Sequence, residues 1–188
     1  MQKVLWLDTE TTGLNPFRDS IIQIGGIIEI DGIDVDSFSI KMKPYSFDSI
    51  NHEALTINRI SLETLSSYQD FEKGMQRFKY KLEENIDKFS KTYKFIIAGY
   101  NVGFDIGFLR HAFLNIGDEF YGSWFFSCNI DVMTYVAEDV KRGARYENHN
   151  LGCVCGANGV CLENAHDALA DITATRELYY AMRLKLGM

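Results

Sequence analysis

Val4-Leu5-Trp6-Leu7 is an apolar run with no polar interruption. It predicts a short strand buried on both faces and therefore central in its sheet. Ile21 to Ile30 is rich in isoleucine and reads as a second strand, with Gly25-Gly26 predicting a bend or bulge inside it. Asp31-Gly32 suits a two-residue hairpin turn, so Asp34 to Met42 should run back antiparallel as a third strand. The period then changes. Ile50 to Leu65 reads as short helices with Asn51 and Ser61 as caps. Phe71, Met75, Phe78, Leu82, Ile86 and Phe89 recur at spacings of three and four and predict a helix over 68–89. Lys94 to Gly99 and Trp124 to Ile130 read as a fourth and a fifth strand. Helices are expected over 105–114, 131–140 and 167–186, with a short one over 150–156. Arg142 to Asn150 is polar, contains Gly143 and predicts a loop. Three antiparallel strands followed by alternating helices and strands place the chain in the α/β class.

Composition adds limits. The 188 residues are 46% hydrophobic and 24% charged, which fits one soluble domain over 1–188. No segment approaches the roughly 20 apolar residues that span a bilayer, and the apolar run before Asp8 is too short for a signal peptide. A cytoplasmic protein with no membrane association is expected, and its four cysteines then need no disulfide partner. Cys153, Cys155 and Cys161 lie near His149, but C-x-C-x₅-C is no familiar zinc spacing, and free cysteine is a common buried residue. The net charge of −7 argues against tracking along duplexes, which depends on Lys and Arg neutralising phosphates. A pocket gripping a few terminal nucleotides has no such need. Lys141, Arg142 and Arg145 are read as solvated loop charges.

Three segments carry chemistry. In Asp8-Thr9-Glu10-Thr11-Thr12-Gly13-Leu14 the two acids are two apart, so an extended backbone turns both to one face. They sit where a buried strand gives way to a Thr/Gly turn, the edge at which α/β sheets place their sites. Two such carboxylates repel unless protonated or holding a cation, and hard oxygen ligands suit Mg²⁺ or Mn²⁺. A bare D-x-E is more often a pair of solvated acids, so the flanking residues matter. The second segment is Asn101-Val102-Gly103-Phe104-Asp105-Ile106-Gly107-Phe108-Leu109. Asp105 alone reads as a favourable acid at a helix start, and Phe104 and Phe108 share a helical face that suits a core. The third is His166-Asp167-Ala168-Leu169-Ala170-Asp171. Five residues are about 140° around a helix, so His166 and Asp171 can converge only if His166 precedes the helix.

Together the segments resemble the motifs of the DnaQ-like, or DEDD, exonucleases, which include the DNA polymerase III epsilon-type proofreading exonuclease and RNase T. The first matches D-x-E-T-T-G-L throughout, the second supplies the Asn and Phe-Asp pattern, and the histidine five before the last acid resembles the DEDDh branch. The resemblance implies an RNase H-like five-stranded mixed sheet, order 3-2-1-4-5, flanked by helices. It also implies that Asp8, Glu10, Asp105 and Asp171 hold two divalent metal ions, Mg²⁺ or Mn²⁺, with His166 as general base. Nucleoside 5′-monophosphates would leave the 3′ end of a single nucleic-acid strand. Thr11, Thr12, Gly13, Leu14, Asn101 and Phe104 would meet the substrate, with Leu14 wedged against the terminal base. Phe17 and Tyr100 are further stacking candidates, though core packing is the stronger reading for each. The short helical segment 50–61 would lie beside the substrate groove. A DNA polymerase or a replication or repair complex is a possible partner, and monomer and homodimer both stay open. One alternative is an exoribonuclease of the RNase T or oligoribonuclease type, although D-T-E-T-T-G departs from the D-x-E-M-T-G of oligoribonuclease. An alternative of another class is a catalytically idle, polymerase-associated binding module, disfavoured because all five site residues are present.

Overall fold

The computed structural model describes residues 2–48 and 50–188. Five strands form one sheet: β1 (Lys3–Thr11), β2 (Ile21–Ile30), β3 (Ile33–Lys41), β4 (Phe95–Gly99) and β5 (Phe125–Asp131). Their order is β3-β2-β1-β4-β5, the expected one. β1 pairs antiparallel with β2 and parallel with β4, and β4 pairs parallel with β5. The helices are α1 (His52–Ile57), α2 (Leu62–Ser67), α3 (Phe71–Glu83), α4 (Val102–Asn115), α5 (Tyr121–Trp124), α6 (Val132–Lys141), α7 (Leu151–Ala157) and α8 (Ala168–Leu186). Among the described residues no helix is long and apolar enough to cross a membrane.

The apolar run in β1 explains the layering. Leu5 and Leu7 enter a core with Phe78, Phe108 and Phe113, on the side of α3 and α4. Val4 and Trp6 enter a second core with Val136, Ile172, Leu178 and Met182, on the side of α6 and α8. Each such side chain contributes about 1.5–3 kcal/mol by leaving water, and β1 does so on both faces. The strand also runs further than its apolar run. It continues through Thr11, so Asp8 and Glu10 lie within the strand and not in a turn after it.

The glycines of β2 do a different job from the one expected. The β1–β2 ladder passes through Gly25 and Gly26 in register, and its irregularity falls at Glu10/Thr11. A Cβ on Gly25 would lie 2.3 Å from the backbone carbon of Ala168, and one on Gly26 would lie 2.3 Å from the Phe38 ring. The absent side chain at Gly25 lets the start of α8 rest on the sheet.

Several boundaries also differ: α4 begins at Val102 and not at Asp105, and Trp124 ends α5 instead of opening β5. α3 is shorter than the apolar spacing implied, because Tyr68 ends α2 and the Asn85 side chain donates to the Lys81 carbonyl (3.1 Å) at the far end. Ile86 still packs into the core, whereas Phe89 points to solvent. Asp131 caps α6 instead of entering it, its carboxylate accepting from the Met133 N–H.

Candidate active site

Alternation along β1 turns residues 4, 6, 8 and 10 toward α8. Asp8 lies opposite Gly25 and Glu10 opposite Gln23. Because α8 starts over Gly25, the acid in its first turn, Asp171, is delivered to the same place. His166 sits in the turn just ahead of that helix, exposed, with a left-handed backbone at φ 72°. Ligand-type atoms of Glu10, His166 and Asp171 all lie within 4.8 Å of one another. Asp171 Oδ2 accepts from the His166 N–H (3.2 Å). Asp171 Oδ1 is buried with no hydrogen-bond partner.

Asp105 arrives by another route. β4 runs parallel to β1 as far as Gly99, and Asn101, itself left-handed at φ 57°, starts α4. Asp131 at the end of β5 accepts from the Asn101 N–H (3.0 Å) and so ties the start of α4 to that of α6. Asp105 Oδ1 accepts from both the N–H (3.0 Å) and the hydroxyl (2.7 Å) of Thr9. The residue between the two strand acids thus fixes the third carboxylate.

The cluster is electrostatically frustrated. Burial pushes the Asp8 carboxyl well above the usual range, and the charges of Asp105, Glu10, Asp171 and Asp167 push it further. Glu10 is raised to about 7, by burial first and then by Asp171, Asp167 and Asp105. Burial raises Asp105 to about 7 as well, against the lowering effect of the two Thr9 hydrogen bonds. Asp171 is raised by burial, which outweighs the His166 N–H and the His166 ring. Among the described residues no lysine or arginine pairs with any of the four. Neighbouring carboxylates in this state take up protons or a cation. Asp167 behaves oppositely. Burial would raise it, but hydrogen bonds from Gln23 and the Ala170 N–H, with the Lys41 charge, hold it below the usual range.

The loop after β1 is tightly built. Thr11 is buried, its hydroxyl donating to the Gly13 carbonyl and its own carbonyl accepting from the Asn58 amide. Thr12 is fully buried, and its N–H, carbonyl and hydroxyl all have partners in Ser20 and Asn51. Gly13 leaves room for the Asp19 carboxylate, which accepts from the Asn15 N–H. The loop therefore presents Leu14 and Phe17, each more than 80% exposed at 81% and 82%. Phe17 is not a core residue, and its ring meets His111 edge-on at 5.5 Å. The fixed turn explains why: with Asn15 and Asp19 holding the backbone, Phe17 has nowhere inward to go. Tyr100 does pack against the second core, and its hydroxyl donates to the His149 carbonyl. Phe104 is half-buried, its ring tilted against that of Phe108 with centroids 4.8 Å apart.

Thr9, Gln23, Asp131 and Asp167 were absent from the motif reading. Thr9 and Asp167 adjoin motif acids, but nothing in their identity announces a partner 96 or 144 residues away. Cys155 belongs to the second core, whereas Cys128 and Cys161 are exposed.

The family model with the description exonuclease, RNase T, matches residues 5–179. The chain belongs to the RNase T exonuclease family. It is thereby a member of the DnaQ-like 3′→5′ exonucleases whose motifs it resembles. A PolC-type DNA polymerase III from Clostridium perfringens is 27% identical over 172 residues, covering 91% of this chain and 10% of that protein. A PolC-type polymerase from Thermotoga petrophila is 35% identical over 104 residues, covering 55% of this chain and 7% of its own length. Among solved structures, exonuclease I from Methylocaldum szegediense superposes with a TM-score of 0.80 at 21% identity, over 100% of this chain and 41% of the other. A zinc-bound E. coli exonuclease I with single-stranded DNA superposes with a TM-score of 0.81 at 20% identity, again over 100% of this chain and 41% of the other. This exonuclease domain spans about a tenth of the curated relatives and two fifths of the solved structures it matches.

Proposed function

We propose that the chain is a divalent-metal-dependent 3′→5′ exonuclease acting on the end of a single DNA strand and releasing nucleoside 5′-monophosphates. One observation carries this reading: Glu10, His166 and Asp171 bring ligand-type atoms within 4.8 Å of one another, while Asp8 and the buried Asp105 lie close enough to share their charge repulsion, with no lysine or arginine paired to any of the four acids among the described residues. The donor set suits hard divalent cations such as Mg²⁺ or Mn²⁺, and the unpartnered Asp171 Oδ1 fits the same use. Asp8, Glu10, Asp105 and Asp171 would hold two such ions. When bound, the ions supply positive charge against the scissile phosphate and acidify a water.

The protein's own contribution follows from its geometry. Thr9 orients Asp105, and the β1 ladder orients Asp8 and Glu10, so the ligand set needs little rearrangement. His166 faces solvent within reach of Glu10 and Asp171. His166 is placed to take the proton of the attacking water and release it to solvent. Leu14 and Phe17 offer apolar surface that any base can stack on, which fits action without sequence preference. DNA is favoured over RNA by the relatives: PolC-type DNA polymerases and an exonuclease I held with single-stranded DNA. A polymerase or a replication complex is the corresponding partner.

The test is digestion of 5′-labelled single-stranded DNA and RNA of one sequence, with Mg²⁺ or Mn²⁺ and with chelator. The expected result is a ladder of shortening DNA that chelator abolishes. A ladder on RNA alone would replace the DNA reading with the exoribonuclease one, and no cleavage of either would return the chain to a binding role.

A further inference from the structure

We propose that Asp167 and Gln23 form a latch that positions His166. This rests on the proposed role of His166 as proton acceptor. His166 is exposed and adopts φ 72°, a conformation that costs a non-glycine residue roughly 1–2 kcal/mol. Asn164, two residues earlier, is also left-handed at φ 57°. A turn with two such residues keeps its shape only if its surroundings hold it.

The His166 N–H on Asp171 Oδ2 (3.2 Å) and the Asp167 N–H on the Asn164 carbonyl (3.1 Å) close the turn, and the Asp167 carboxylate anchors it to the sheet. Asp167 Oδ1 accepts from the N–H groups of Leu169 (3.2 Å) and Ala170 (3.3 Å), closing the first turn of α8. Asp167 Oδ2 accepts from the Gln23 side-chain amide (2.9 Å). Gln23 is 2% exposed and also donates to the Ser39 hydroxyl (3.0 Å), so its amide is braced from β3. Lys41 adds a charge 3.7 Å from the same oxygen. Gln23 lies directly opposite Glu10 in the β1–β2 ladder. The latch therefore references the histidine turn to the strand pair that carries the metal-type ligands. Gly25, two residues along β2, admits the backbone of α8 at the same point. Asp167 and Gln23 need not touch substrate; Asp167 also caps the helix that carries Asp171 and adds its charge to the acid cluster, so Gln23 is the cleaner probe of the action through His166.

A double-mutant cycle tests this, with kcat and KM measured on single-stranded DNA in Mn²⁺. Asp167→Ala is expected to lower kcat about 10–100-fold with KM changed less than about threefold, the signature of a misplaced proton acceptor. Asp167→Asn keeps the helix cap and should recover most of that loss, the Gln23 amide turning to present its oxygen. In a His166→Ala background, Asp167→Ala should cost no more than about a further threefold. Gln23→Met leaves the cap untouched and should repeat the pattern, which keeps the cycle informative if Asp167→Ala does not fold. The proposal is overturned if Asp167→Ala and Gln23→Met retain full kcat, or if their losses appear undiminished on top of His166→Ala. If His166→Ala alone is fully active, the proton-acceptor role fails first and the latch with it.

Discussion

The four carboxylates, near enough to repel one another, and His166, grouped with Glu10 and Asp171, are held in contrasting ways. Asp8 and Glu10 lie in the central strand, Asp105 is bound twice by Thr9, and Asp171 stands in the first turn of a 19-residue helix packed on the sheet. Their positions are consequences of the core. His166 stands on an exposed turn with unfavourable backbone torsion, closed by the Asp167 N–H donating to the Asn164 carbonyl (3.1 Å) and held by the His166 N–H on Asp171 Oδ2 and by the Asp167–Gln23 pair. The difference teaches that cation binding and proton transfer rest on different supports, which meet at Asp171, whose Oδ2 accepts from the His166 N–H. The first should survive any change that leaves the core intact, and the second should fail first.

Mutation can break the two apart. The largest effect is expected from Asp8→Asn or Asp105→Asn, which should cut turnover by upwards of roughly 10³-fold because a ligand is lost. The same changes should stabilise the metal-free protein above pH 7. The sign follows from linkage. Glu10 and Asp105 are raised to about 7 in the fold from ordinary carboxyl values, so the folded state binds more protons than the unfolded one between about pH 4 and 7. Their contribution is fully present below the unfolded values and is lost as pH rises through the folded ones. The apo protein should therefore melt lower at pH 8 than at pH 5.5, and Mn²⁺ should restore more at pH 8; thermal melts at the two pH values check both. His166→Ala comes next, with kcat down about 10²–10⁴-fold and the Mn²⁺-induced rise in melting temperature retained. If that rise vanished, the two supports would not be distinct.

Gly25→Ala strikes both halves together. Its Cβ would meet the Ala168 backbone at 2.3 Å and force the start of α8 off the sheet. A cost of about 1–3 kcal/mol in stability is expected, with a fall in activity on the order of 10²-fold as Asp171 and His166 shift. Denaturant melts and kcat on the same preparation would register it. The smallest effects belong to the rim. Leu14→Ala and Phe17→Ala should each raise KM roughly three- to tenfold with little change in kcat, since they offer stacking surface and no reacting group.

How much of this was legible beforehand divides along the same line. The sheet and its order were readable because β1 is an unbroken apolar run and the later strands alternate with helices, patterns that burial imposes directly. The motif acids were readable because their spacing within each segment is local. The supports were not. Thr9 holding Asp105, Gln23 holding Asp167 and Gly25 admitting α8 are contacts between distant segments, and each residue type has an ordinary local reading. Gly25-Gly26 suggested a bulge because glycine in a strand usually means one, yet the β1–β2 ladder stays in register at both glycines and the need was for space. Phe17 suggested a core residue because aromatic rings are mostly buried, yet the Asn15–Asp19 turn holds it outward.

Titration calorimetry with Mn²⁺ at pH 7, repeated in two buffers of different ionisation enthalpy, tests the central claim most directly. The account predicts saturable binding that displaces protons from the cluster, because burial and repulsion by neighbouring carboxylates raise the proton affinity of Glu10 and Asp105, and loss of the signal in Asp105→Asn. Binding that is absent at millimolar Mn²⁺, or unchanged in Asp105→Asn, would contradict a cation site built from these four acids.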